Sequence, residues 1–180
     1  MNDNIWFTFK ARIRAHERLV ANDQHSQLLL VWYAIAGVCL AIVSIRYPKA
    51  LGDNTDIISA MFSVAVLAFS MFVTNRDYRG RGIEMRKNYL ALQELYSQAN
   101  LNPSPLIPAQ VASAYQRLLD SNENHTDIDD KYFRVFCQGT LTSRKPKLRE
   151  KIDVFLYLGV RTVLLGLFYI LPLLALFLVL

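Results

Sequence analysis

The chain is short of almost everything that catalysis or covalent stapling would need. It has two cysteines, Cys39 inside a long apolar run and Cys137 in a polar stretch. They offer neither a disulfide framework nor metal-ligand spacing. The three histidines, His16, His25 and His125, are too scattered for a metal site. Glycine is sparse and forms no phosphate-cradling loop. The GRG at 80–82 lies in a basic segment with no strand before it, which excludes a nucleotide-binding fingerprint. No serine or cysteine nucleophile pairs convincingly with a base. The expectation is therefore no enzyme, no cofactor and no metal. Internal repeats of solenoid period and long low-complexity tracts are also missing. The opening MNDNIWFTFKARIRAHERL is too polar for the apolar core of a cleavable signal.

What is abundant is apolar sequence. The 180 residues are 53% apolar with a mean hydropathy of +0.19, and the excess sits in three blocks. The first, Leu28 to Ile45, has 18 residues without a charge. The second, Ile57 to Val73, has 17. A membrane-spanning helix needs about 17–25 apolar residues, so both reach the threshold. Pro48 and Gly52 between them fit a turn, and the two blocks read as a helical hairpin. The third block begins near Ile152, and its uncharged part runs over 19 residues from Thr162 to Leu180. Pro172 within it is tolerated in a membrane helix. This block is expected to span, although a tail anchor or a re-entrant end is an alternative.

Charge then orients the chain. The net charge is +5 and the pI about 9.3. A basic balance suits nucleic acid or an anionic membrane surface, but with membrane segments present topology is the simpler cause. No direct nucleic-acid binding is expected. Fourteen Lys and Arg residues flank the blocks on one side, in 10–18, 76–87 and 144–151, against Arg46 and Lys49 in the hairpin loop. The positive-inside rule places the N-terminus and residues 74–151 in the cytoplasm, in a multi-pass protein of the inner membrane.

The polar stretches read as helices. Trp6, Phe9, Ile13, His16 and Val20 recur at spacings of three and four, and so do Met85, Tyr89, Leu92, Tyr96 and Ala99. Each is a single seam that can extend a membrane helix into the cytoplasm and meet the other. The prolines of LNPSPLIP at 101–108 break the second. The fold class is thus an all-α membrane protein: a transmembrane hairpin with cytoplasmic helical extensions and a C-terminal apolar helix. The spans fall at 28–45 and 57–73, and the cytoplasmic helices at 5–27, 75–100, 109–120 and 128–138. Residues 1–136 form the two-span domain, 137–151 a basic linker and 152–180 the C-terminal helix.

Three sets of residues are candidates for function. Gly37 with Ala41, and Ser59 with Ser63, are small-xxx-small pairs that let membrane helices approach closely. Met85, Tyr89, Leu92 and Tyr96 form the cytoplasmic seam. Asn124, His125, Asp127 and Asp129 mark an acidic loop. Thr126 with Asp129 fits a capping box, and the same acids could ion-pair with the basic helices as a docking or sensing patch. Arg161, inside the third block, is either a functional charge in the membrane or an interfacial residue that snorkels.

The order of these elements resembles the SLATT family, the two-transmembrane effector domains associated with SMODS nucleotide cyclases and SLOG sensors. The resemblance covers roughly residues 8–136. It rests on KARIRAHERL before the first span, the compact hairpin, TNRDYRGRGIEMRKNYLALQELY after the second, and NENHTDIDDKYF. In the last, Asn124, His125, Asp127, Ile128 and Asp129 match the family's stretch. The third apolar block extends beyond the two-helix core. The resemblance implies a bacterial effector of antiviral defence that waits in the lipid bilayer, assembles as a homo-oligomer when a partner is triggered, and forms a pore or disrupts the membrane. The trigger would come from a neighbouring nucleotide cyclase, SLOG protein or reverse transcriptase. The alternative is an anchor or scaffold that recruits a soluble partner without opening a pore; a transporter subunit lacks support.

Overall fold

A computed structural model describes residues 2–49, 51–101, 108–141 and 143–179. Its helices are α1 (Asn2–Arg46), α2 (Thr55–Arg76), α3 (Tyr78–Asn100), α4 (Pro108–Asp120), α5 (Asp127–Phe136) and α6 (Leu148–Val179), with a short 3₁₀ turn at Gln138–Thr140. No strand occurs among the described residues. Three helices are long and apolar enough to cross a membrane, the C-terminal one included. The protein is therefore an all-α membrane protein with an apolar hairpin and a third apolar helix.

Local chemistry sets the breaks. The hairpin turn needs Gly52, whose φ of 95° an L side chain rarely adopts. Buried Thr55 closes the turn: its hydroxyl accepts from the Leu51 N–H (3.0 Å) and donates to the Gly52 carbonyl (2.7 Å). Between α2 and α3 the chain breaks at Asp77 alone, in the left-handed region at φ 42°, ψ 48°. Asp tolerates that region better than most L residues. So α1 continues unbroken through its polar and apolar parts, whereas α3 restarts after α2. Of the prolines expected to end α3, Pro103 and Pro105 lie outside the described residues. Pro108 opens α4, where its missing N–H costs nothing.

The chain divides into two compact units, Met1–Ala21 with Tyr78–Leu158, and Asn22–Asp77 with Gly159–Leu180. In the first, the polar unit, the start of α1 is the central strut. Ile5, Phe9, Leu92, Leu95 and Val111 form one cluster, Phe7, Phe133 and Leu141 a second, and Ala15, Leu19 and Met85 a third. The single seam expected on α1 is too narrow a description. The helix is covered on more than one side, because Ala11 and Ala15, both fully buried, leave room for neighbours.

The second, apolar unit is built differently. Tyr33 of α1 stacks on Phe62 of α2, with centroids 6.2 Å apart. Trp32 Nε1 donates to the Tyr169 carbonyl of α6 at 3.0 Å, and the Tyr33 hydroxyl to the Phe168 carbonyl at 3.1 Å. Pro172 has no N–H to give the carbonyl four residues before it, which is that of Phe168. In a hydrocarbon environment an unpaired carbonyl costs several kcal/mol, so the donor from α1 replaces what the proline removes.

Candidate functional site

The hairpin residues do not form one small-residue contact. A Cβ placed on Gly37 would lie 3.3 Å from the Phe62 ring, and the helices meet there because glycine leaves the space. Ala41, one turn on, is exposed. Ser63 is exposed and donates to the Ser59 carbonyl of its own helix at 3.1 Å. Ser59 Oγ is buried without a partner among the described residues.

The α3 seam meets α1 along its length. Met85 and Leu92 are fully buried. Tyr89 packs on His16 with centroids 5.8 Å apart, and Tyr96 on Phe9 at 5.8 Å. Where the helices cross, Gly82 sits against Leu19 and Val20, each 3.7 Å from the position of an added Cβ. His16 Nδ1–H donates to the Gly82 carbonyl at 2.9 Å, which fixes its tautomer.

Beside the seam lies a polar knot that periodicity does not reveal. Arg12 is fully buried and Asn88 is 5% exposed. The Arg12 guanidinium donates to Asn88 Oδ1 and to the carbonyls of Leu118 (3.0 Å) and Leu119 (3.4 Å). Asn88 Nδ2 donates to the Leu118 carbonyl (2.7 Å) and to Ser121 Oγ (3.0 Å). Every one of these acceptors is neutral. The charge is compensated by the negative end of α4, and burial pushes the Arg12 pKa down.

The acidic loop does two jobs through one carboxylate. Asp129, 3% exposed, accepts from the Thr126 N–H (3.0 Å) and hydroxyl (2.6 Å), closing the capping box at the start of α5. It also receives a bidentate fork from Arg18 of α1, Nε at 2.9 Å and Nη2 at 3.0 Å. That hydrogen bond raises the Arg18 pKa. Asp127, by contrast, is exposed and pairs with Lys131 at 2.7 Å. Asn124 is exposed and accepts from the His125 N–H at 3.0 Å. His125 Nδ1 is buried without a partner among the described residues; desolvation pushes its pKa down, with Asp129, Asp130 and Arg12 close enough to act on it.

The clasp between α5 and α6 is likewise not singled out in the sequence. Arg134 clasps α5 to α6, donating to Asp130 Oδ2 (2.9 Å) and to both Glu150 oxygens (2.9 and 2.6 Å). The Arg134 hydrogen bond, foremost, holds the Glu150 carboxyl down at about 2. The signal available was the basic and acidic spacing over 130–134, but its partner lies 16 residues on. Arg161 donates to Asn22 Oδ1 at 3.0 Å, a contact at the polar ends of the apolar stretches of α1 and α6.

No His, Cys, Asp or Glu group among the described residues could hold a metal, and Cys39 and Cys137 are free thiols. No curated protein and no solved structure matches the chain. One family model does, over residues 1–178, a stretch that includes α6 as well as the hairpin. The chain belongs to the SMODS and SLOG-associating 2TM effector domain family 5.

Proposed function

We propose that this protein is a bacterial inner-membrane effector of antiviral defence that assembles and opens or disrupts the bilayer when a partner triggers it. One observation carries this reading. Only 6% of the apolar stretch of each candidate span is buried within the chain, so nearly all that surface is left for lipid or for other copies. A helical set with so little internal packing is suited to rearrange in the membrane. The N-terminus and the polar unit lie in the cytoplasm, where a nucleotide cyclase, a SLOG protein or a reverse transcriptase would supply the trigger. Growth arrest or cell death follows. A second reading, a scaffold that recruits a soluble partner, draws on the separate core and ion pairs of the polar unit.

Ion flux through liposomes that contain the pure protein separates the two, since a scaffold gives none. In cells, Gly37→Leu forces a side chain into a space where Phe62 already stands 3.3 Å from a Cβ. Overpacking of that kind costs about 1–3 kcal/mol. At equal membrane levels, the effector reading expects Gly37→Leu to abolish depolarisation on overexpression, with Asp127→Ala and His125→Ala still depolarising. If Gly37→Leu behaves like wild type while the loop variants are dead, the output lies in the polar unit.

A further inference from the structure

The first turns of α6 are joined to the polar unit chiefly by charge. Among the described residues, none of α6 belongs to the three apolar clusters of that unit, and Val154 is the buried apolar side chain of these turns. What reaches them from α5 is ionic. Arg134 forks onto both Glu150 oxygens at 2.9 and 2.6 Å, and Lys131 Nζ donates to Asp153 Oδ2 at 2.9 Å. The rings of Phe136 and Phe155 stand 6.2 Å apart, but both are more than half exposed. In turn, α5 is tied to α1 by the Arg18 fork on Asp129 and by the Arg14 guanidinium, 3.6 Å from the centre of the Tyr132 ring.

By itself α5 is a weak element. It has ten residues, below the length at which an isolated helix is stable in water. Phe133 is its one buried apolar side chain, set against Trp6 and Phe7. Its ion pairs keep access to water: the Arg134 side chain is 11% exposed, Glu150 21% and Asp153 38%. Charges so placed are rehydrated when they part, which offsets much of the lost attraction. A competing charge therefore opens this contact more easily than it opens an apolar core, where nothing replaces the lost burial. From these turns α6 runs on as one helix into its apolar stretch. Its polar end is thus held by a contact whose parts separate at low cost.

We propose that α5 is a charge-held latch: while Arg134 and Lys131 hold Glu150 and Asp153, the start of α6 is fixed and the effector is silent, and opening the latch frees α6 to rearrange. The silencing half rests on the effector reading above; the holding half does not. Such a latch is a two-state element that a partner biases by supplying charge. Weakening it raises activity. That sets it apart from a contact that only stabilises the fold, whose loss lowers activity.

The test uses the full chain reconstituted in phosphatidylcholine–phosphatidylglycerol vesicles. Arg134→Glu sets like charge against Glu150. Lys87→Glu, at an exposed pair on α3, makes the same change in net charge elsewhere. Arg134→Glu is expected to speed amide exchange over 148–158 about tenfold and to raise ion flux about tenfold per copy; Lys87→Glu is expected to do neither. Adding Glu150→Arg to Arg134→Glu re-forms the pair and is expected to return both readings toward wild type. A second arm needs no destabilised variant. With Cys39→Ser and Cys137→Ala, cysteines placed at Lys131 and Asp153 are bridged by a cleavable bismaleimide, which is expected to silence flux until reductant cuts the bridge. Unchanged exchange in Arg134→Glu shows that α5 does not hold α6 and overturns the latch. Faster exchange with flux no higher than that of a conducting wild type, or flux that ignores the bridge, overturns the silencing. If wild type and every variant fail to conduct while exchange responds as expected, the effector reading falls, and the silencing with it, while the holding contact stands.

Discussion

Asp129→Ala removes one carboxylate that serves two partners, and its cost can be worked out from them. The carboxylate is 4% exposed and the Arg18 side chain facing it 19%. Breaking such a pair from one side costs about 3–5 kcal/mol, because the remaining charge stays desolvated. Arg18 retains enough access to water to place the loss near the lower end. The helix cap is worth about 1 kcal/mol more. The sum, about 3–4 kcal/mol, is a large share of the 5–15 kcal/mol that holds an ordinary domain. Hydrogen exchange in mild detergent should therefore show the α5 amides, 127–136, opening roughly 100- to 1,000-fold more often. The second substitution decides the cause. Arg18→Met in the Asp129→Ala background removes the stranded cation, so α5 should regain protection although another native contact is gone. If the double variant is less protected than Asp129→Ala, or if Asp129→Ala exchanges like wild type, the buried pair does not hold α5 on α1.

Three further outcomes follow from other contacts. Glu150 has its folded pKa depressed from 4.5 to about 2, so its contribution is fully present above about pH 4.5 and is lost as pH falls toward 2; thermal unfolding should show this acid-labile step, and Glu150→Gln should remove it while lowering stability at neutral pH. Tyr33→Phe leaves the Phe168 carbonyl without its donor and should cost about 0.6–2 kcal/mol, read as faster exchange in α6 near residue 168, with exposed Tyr47→Phe as a silent control. In a cysteine-free background, an impermeant maleimide applied to spheroplasts should label a cysteine at Asn54 but not at Ser113 until the membrane is opened, and the reverse pattern would overturn the N-inside orientation.

The sequence showed most clearly what local physics dictates. Uncharged runs from Leu28, Ile57 and Thr162 are legible because bilayer thickness demands such lengths. Thr126 and Asp129 could be read as a cap because the two lie within one helical turn. The long-range half of the same site was hidden. Arg18 and Asp129 stand 111 positions apart, and neither carries a mark that names the other. Arg12 was counted as a topological charge, yet it is fully buried and bound to α4 carbonyls. Asn88 is the same case: it adjoins the seam residue Tyr89, and a polar residue there reads as solvent-facing until its partners are known. The small-residue pairs illustrate a further limit. Spacing alone could not tell that Gly37 makes room for Phe62 while Ala41 is exposed.

Pro172 shows how such hidden pairing bears on the architecture. From the sequence it was only a proline that a membrane helix can tolerate. The structure supplies the reason, because the carbonyl it frees on Phe168 and the neighbouring one on Tyr169 receive donors from Tyr33 and Trp32. Lipid tails have no donor to offer in their place. A shift of α6 along α1 by one turn would strand the Phe168 carbonyl and both donors in hydrocarbon, so polar groups favour this register of the two helices. Tyr33 also stacks on Phe62, the ring that fills the space beside Gly37. One aromatic side chain of α1 therefore contacts both other apolar helices. Gly37, Phe62, Tyr33 and the carbonyl freed by the proline of α6 thus form one run of neighbours across the three apolar helices.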